Sequence, residues 1–163
     1  MSLLKKIKVG VVTARFNNEV TYRLEAGALA EFKKAGLSSD QINAVRVAGA
    51  VEIPLAAQAL LDAGCDGVVA LGAVIRGETT HYDYVCASVE RGCSQLALQY
   101  KKPVAFGVLT TENEEQAMDR AGGSHGNKGA ESAQVTLEMI ELLHSIGSGN
   151  DPKRHPEQSR VGI

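Results

Sequence analysis

The strongest constraint in this sequence is a repeated alternation of an apolar, β-branched run, a polar or glycine-rich loop and a stretch with helical period. The first run, about Ile7–Ala14 (IKVGVVTA), is apolar at nearly every position, not at every second one. Strands of that kind are covered on both faces, as in a parallel sheet. A helix over about Val20–Ala35 follows, with Leu24, Ala28, Leu29 and Phe32 on one face and Gly36 just beyond its end. Ile42–Val47 reads as the second strand, and Pro54 fits the first turn of a helix that runs to about Ala63 and is stopped by Gly64. The third strand is Gly67–Val74, and its helix starts near Thr80, with Thr80 and Asp83 in a capping arrangement. The fourth strand is about Pro103–Leu109, and Thr111 with Glu114 predicts a cap for a short helix near Glu114–Ala121. A glycine-rich link, Gly122–Gly129 (GGSHGNKG), leads into a last helix over about Ala130–Ile146. Four strands joined by crossover helices imply an open α/β sandwich on a parallel core, with right-handed connections.

With 163 residues the chain is the length of one domain, assigned to residues 1–147, and residues 148–163 form a polar tail expected to be mobile or ordered only by a neighbour. Seventeen basic residues against nineteen acidic ones give a net charge of -2. That balance excludes a uniformly basic nucleic-acid binder while leaving room for a local cationic pocket. No run approaches a membrane span, and the opening MSLLKKIKVG is too short in its apolar part for a signal peptide. Cys65, Cys86 and Cys93 contain no CxxC pair and read as buried free thiols in a reducing compartment, so a cytoplasmic location is expected. His81, His125, His144 and His155 have no cluster of carboxylates or thiols at ligand spacing, so no metal is expected.

In open parallel sheets ligands bind beyond the carboxyl ends of the strands. The loops that fall there are ARFNNE, AGAVEIP, RGETTH and TTENEE, and all four carry polar or glycine residues that a core would not select. In RGETTH (Arg76–His81), Gly77 permits a close turn, and the amides near Glu78 and Thr79 precede a helix, where backbone N–H groups and the helix's positive end favour an anion. A simple cap accounts for Thr80 and Asp83, but not for Arg, Gly, two Thr and His occurring together. The segment lacks the GxxxxGK[ST] spacing of a nucleotide P-loop. His81 falls in the first helical turn, at the cleft, where an imidazole is the natural proton shuttle. Glu52 either complements a helix dipole or accepts hydrogen bonds from a polar heterocycle or hydroxyls. Phe16 is an edge-of-core aromatic or a flat stacking surface. Arg120 and Lys128, flanking the glycine-rich link, are a solvated pair or a phosphate grip.

The ordered blocks ARFNNE (Ala14–Glu19), GAVEIP (Gly49–Pro54), GAVIRGETTHYDYV (Gly72–Val85), FGVLTTENEEQA (Phe106–Ala117) and RAG…GNKG (Arg120–Gly129) resemble the lumazine synthase family over about Lys8–Ile146. The resemblance implies a flavodoxin-like three-layer sandwich with a four-stranded parallel core. It implies condensation of 5-amino-6-(D-ribitylamino)uracil with 3,4-dihydroxy-2-butanone 4-phosphate to 6,7-dimethyl-8-ribityllumazine, phosphate and water in riboflavin biosynthesis, with no cofactor and no metal. Matched position by position, Phe16 stacks on the pyrimidine with Asn17 beside it. Ala50, Val51 and Glu52 hold the pyrimidine and ribityl chain, and Val74 and Ile75 line the ring site. Glu78 and Thr79 receive the phosphate, and His81 transfers protons. Phe106, Arg120 and Lys128 are expected from a neighbouring subunit, with Arg120 as the phosphate's main cation.

Three features depart from the family pattern: Ser124 where many relatives carry Lys, a short stretch before the first strand, and a long tail. The family further implies self-association with active sites between subunits, at least a pentamer, and a riboflavin synthase as a candidate partner. The compact link at Gly122–Gly129 favours an icosahedral shell of pentamers, while the short N-terminal arm and charged tail weigh against it. Within the last helix, Ala133, Leu137 and Ile140 are expected to face the sheet, and Val135, Met139 or Leu142 to meet neighbours. The competing readings are an archaeal-type riboflavin synthase and a non-catalytic flavin-binding protein of the same fold.

Overall fold

A computed structural model describes residues 2–149. Four strands, β1 (Val9–Ala14), β2 (Ile42–Val47), β3 (Gly67–Ile75) and β4 (Val104–Thr111), pair in parallel in the order β2-β1-β3-β4. The sheet is therefore the expected one. Helices α1 (Asn18–Lys34), α2 (Ile53–Asp62), α3 (His81–Tyr100) and α5 (Lys128–Gly147) cover it, and a short α4 (Glu114–Asp119) follows β4. The three layers are those of a flavodoxin-like sandwich.

The near-continuous apolar runs follow from burial on both faces. Along β1, Val9 and Val11 pack with Leu24, Ala28 and Phe32 of α1 and Ala133 and Ile140 of α5. Val12 and Ala14 point the other way, into Ile53, Ala57 and Leu60 of α2 and Val89, Cys93 and Leu96 of α3. β3 divides likewise, with Val69 and Leu71 on the α1–α5 side and Val68 and Ala70 on the α2–α3 side. Successive side chains of a strand alternate between faces, so a strand with a helix layer on each side needs apolar residues at every position. Full burial of each such side chain contributes about 1.5–3 kcal/mol.

Element boundaries moved by a few residues. β1 begins at Val9, α1 at Asn18, and β4 runs on to Thr111. Gly36 and Gly64 end α1 and α2 with φ of +104° and +101°, the left-handed geometry expected after a helix. Neither expected threonine cap forms. Thr80 stands at the N-cap of α3 with φ -71° and ψ -2°, already helical, and its hydroxyl caps nothing. Thr111 still belongs to β4, and the cap of α4 is Asn113, whose side chain accepts from the Gln116 amide at 2.9 Å. A two-stranded antiparallel hairpin, β5 (Ala121–Gly123) with β6 (Gly126–Asn127), occupies the glycine-rich link.

Along α5, Ala133 and Ile140 are buried and Leu137 packs partly against the same core, as expected. The outward apolar stripe is Val135, Met139 and Leu143, which share a groove with Leu98 and Pro103; Leu143 takes the place expected for Leu142. Cys65 and Cys93 are buried, whereas Cys86 is only half-buried. Residues 150–163, the greater part of the tail, lie outside the described residues.

Candidate active site

Parallel pairing brings the carboxyl ends of all four strands to one edge, and a cavity of about 300 Å³ opens there. Phe16 comes from the turn after β1, Ala50–Glu52 from a short helical turn after β2, and Val74 and Ile75 from the end of β3. Thr79 and His81 come from the following loop and the first residue of α3. Thus eight of the sequence-predicted residues, Phe16, Ala50, Val51, Glu52, Val74, Ile75, Thr79 and His81, line one cavity within a single chain.

Phe16 is 72% exposed, so its ring presents a face to the cavity instead of filling the core. Its backbone N–H donates to the Ala48 carbonyl at 3.0 Å, fixing the turn. The next residue, Asn17, has φ 61° and ψ 44°, a left-handed conformation that a short polar side chain tolerates. Its amide donates to the Ala73 carbonyl at 2.8 Å. Asn17 thus ties the β1–α1 turn to β3, and it lines a cleft adjoining the cavity together with Arg15, Glu19 and the shared residues Phe16 and Ile75.

Glu52 stands at the N-cap of α2 without capping it, which leaves the carboxylate to the cavity. Thr79 Oγ1 accepts from the His81 backbone N–H at 3.3 Å. Gly77 and Thr79 line the cavity wall on either side of Glu78, which is exposed. Tyr82 and Val85 complete the wall one α3 turn on. Tyr82 was missed by sequence reasoning, although its place directly after His81 was a usable signal. Burial pushes its phenol above the usual range, and the neighbouring Cys86 adds to the shift.

The remaining expected residues lie elsewhere. Phe106, Arg120 and Lys128 line a separate cavity of about 510 Å³ along the β4 edge, with Thr110, Gln116, His125 and Glu131. The fourth strand-end loop opens on this second cavity, so the expected convergence of four loops holds for the sheet edge but not for one pocket. Arg120 donates through Nη1 to the Gln116 carbonyl at 2.9 Å, and the Lys128 backbone N–H donates to the Arg120 carbonyl at 2.8 Å. Asn127 caps α5 by accepting from the Ala130 N–H at 3.0 Å, and it donates to the Arg23 carbonyl of α1 at 3.1 Å. The two cations therefore ride on one hydrogen-bonded hairpin anchored to α1. His125, also missed, sits 3.2 Å from the Ser124 hydroxyl through Nδ1.

Among the described residues no group of three or more His, Cys, Asp or Glu side chains is placed to hold a metal ion, and no helix is long and apolar enough to cross a membrane. The arrangement suits an uncharged ring stacked on Phe16, a carboxylate for its polar groups, an imidazole for proton transfer, and a separate cationic surface for an anion.

Comparison with known proteins agrees with this chemistry. The chain is 65% identical over 141 residues to the 6,7-dimethyl-8-ribityllumazine synthase of Bdellovibrio bacteriovorus, covering 86% of this chain and 78% of that protein. It is 50% identical over 142 residues to the enzyme of the same name from Pediococcus pentosaceus, covering 86% and 91%. Against that of Desulfovibrio desulfuricans it is 48% identical over 143 residues, covering 87% and 92%. The sequence model of one family, 6,7-dimethyl-8-ribityllumazine synthase, matches residues 6–144, from before β1 into the last turns of α5 and across both cavities. The chain belongs to the 6,7-dimethyl-8-ribityllumazine synthase family.

Proposed function

We infer that this chain catalyses the reaction its family is named for, making 6,7-dimethyl-8-ribityllumazine in riboflavin biosynthesis, and that each active site is assembled from two subunits. The activity follows from the family. One observation carries the division of labour: the ring-holding residues and His81 surround one cavity, while Arg120 and Lys128 face another on the β4 edge. A neighbouring copy that sets its second cavity against the first supplies the cations the first one lacks.

In this reading the uracil of 5-amino-6-(D-ribitylamino)uracil stacks on Phe16, and Glu52 and the Ala50–Val51 backbone take its polar edge and ribityl chain. The phosphate of 3,4-dihydroxy-2-butanone 4-phosphate lies between Thr79 and the neighbour's equivalents of Arg120 and Lys128. The primary amine of the uracil attacks the butanone carbonyl, and water leaves to give an imine. Phosphate is then eliminated, and the resulting enol tautomerises to a ketone. The ribitylamino nitrogen attacks that ketone, and loss of a second water closes the ring. Each step moves protons, and His81 is the group placed to carry them. A positioned acid–base group contributes about 10²–10⁴-fold, and holding two reactants in register contributes about as much or more. Binding geometry therefore contributes at least as much as the imidazole.

A cytoplasmic setting fits the three free thiols. The apolar stripe of Val135, Met139 and Leu143 beside the 82%-exposed Leu98 fits contact with further copies. A pentamer, and a shell of pentamers beyond it, is the assembly we assign to this chain, with a riboflavin synthase as its candidate partner. The test is a product assay with both substrates, with the lumazine identified by absorbance and mass. Riboflavin formed from lumazine alone would instead indicate a riboflavin synthase. Tight riboflavin binding without turnover would indicate a flavin-binding protein.

A further inference from the structure

We propose that Arg76 is a positioning residue for the reaction: its side chain clasps the two ends of the loop that presents His81, and pins both to β4. The proposal rests on the proton-transfer role assigned above to His81.

Arg76 is the first residue beyond β3, and its backbone N–H extends the β3–β4 ladder by donating to the Thr111 carbonyl at 2.9 Å. Its guanidinium meets three groups. Nε donates to Glu112 Oε2 at 2.8 Å, just past β4. Nη1 lies 3.7 Å from Asp83 Oδ1 in the first turn of α3. The guanidinium carbon stands 4.3 Å from the centre of the Tyr82 ring. Tyr82 and Asp83 are the two residues directly after His81, so the side chain closes the loop on itself at the point where the imidazole emerges.

Little else holds that loop. Residues 77–80 are all exposed. A Cβ placed on Gly77 would meet nothing within 4 Å, and Thr80 fails to cap α3. The hydrogen bond from the His81 N–H to Thr79 is long, at 3.3 Å. A loop without packed side chains keeps its conformation only through its ends, and fixing those ends removes most of its freedom. Arg suits this task because one planar, always-charged group can hydrogen-bond in its plane and stack on its face at once.

Arg76 does not line the cavity, so it acts through His81 and not on the substrate. Its side chain is 41% exposed, and exposed ion pairs add little to global stability, so its loss should be read in rate and not in folding. A reacting group displaced by about 1 Å costs up to about a hundred-fold. A loosened but still tethered loop should cost about ten-fold in kcat.

The experiment is a double-mutant cycle measured at saturating levels of both substrates, with unfolding curves confirming equal folding. Arg76→Met keeps the stem and removes the clasp; Glu112→Gln weakens it from the β4 side. Arg76→Met is expected to lower kcat about ten-fold, and Glu112→Gln several-fold. In a His81→Ala background Arg76→Met should change kcat by less than about two-fold, because the group being positioned is gone. Unchanged kcat in both single variants would overturn the clasp. So would the full loss persisting in the His81→Ala background, since Arg76 would then act on something other than the imidazole. His81→Ala with wild-type kcat would remove the role of His81 itself, and Arg76's with it; that outcome is distinct because it appears before any Arg76 change is made.

Discussion

Gly27 and Asn127 make a pair whose coupling can be worked out from contacts. Gly27 lies inside α1, and a Cβ built there would stand 2.6 Å from Cγ and Nδ2 of Asn127. In a helix interior Ala is better than Gly by about 1 kcal/mol. In the wild-type background Gly27→Ala must push the Asn127 amide aside. That breaks the α5 cap, worth about 1 kcal/mol, and the hydrogen bond to the Arg23 carbonyl, worth about 0.5–1.5 kcal/mol. The balance is a net loss of roughly 0.5–1.5 kcal/mol. Asn127→Ala alone loses both interactions, roughly 1.5–2.5 kcal/mol. Once the amide is gone the three atoms nearest the new methyl group go with it, so Gly27→Ala in the Asn127→Ala background should stabilise by up to about 1 kcal/mol. The sign of one substitution thus reverses with the residue opposite. Urea unfolding followed by far-UV circular dichroism, at one subunit concentration for all four proteins, measures it. Equal destabilisation by Gly27→Ala in both backgrounds would refute the packing argument.

Arg120→Ala should raise KM for the butanone phosphate by an amount matching the loss of a charge-assisted contact, about 1.5–3 kcal/mol or roughly ten- to hundred-fold, with the uracil's KM moving much less; equal weakening of both substrates in steady-state kinetics would make Arg120 structural. Burial pushes the Cys93 thiol up to about 11, with Glu90 adding to it. At about pH 8 a disulfide reagent should therefore leave Cys93, and the buried Cys65, unmodified in the native protein and react with all three thiols after denaturation. Arg46 grips Glu25 through two hydrogen bonds, of 3.1 and 2.7 Å, and holds that carboxyl below its usual range. The stabilisation is present above the ordinary carboxylate pKa and is lost as pH falls through the lowered one, so the stability gap between wild type and Arg46→Met should narrow as pH falls below the ordinary carboxylate range. A gap that widens on acidification would contradict the pairing.

How much of this was readable in advance depends on how local the cause is. The four strands were legible because burial on two faces leaves an apolar run that needs no partner to be recognised. Phe16, Glu52 and His81 were legible as neighbours because each lies just past a strand at its carboxyl end, whereas Ala50, Val51, Val74 and Ile75 came from the family resemblance. Strand order is set by pairing and leaves no local mark, so the residue pattern alone could not place Phe106, Arg120 and Lys128 on the far side of edge strand β4; that expectation came from the family resemblance. The caps misled for a related reason. Thr111 and Thr80 have the right residue type, but the tertiary fold keeps one in a strand, where Asn113 caps α4 in its stead, and the other already helical, so that α3 has no side-chain cap. The hairpin of three and two residues is too short to show any period. The outward α5 stripe chose Leu143 over Leu142 because Val135, Met139 and Leu143 fall four residues apart on one helical row.

The claim that active sites are shared between subunits is tested most directly by complementation. His81→Ala spoils the first cavity and Arg120→Ala the second, and in a mixed assembly a subunit of one kind can meet a neighbour of the other. When the two variants are denatured together in equal amounts and refolded, random assortment should restore about a quarter of the sites, each with an intact His81 from one chain and an intact Arg120 from the next. The account predicts lumazine formation rising well above the sum of the two variants refolded apart. Activity equal to that sum would place the whole site within one chain and contradict it.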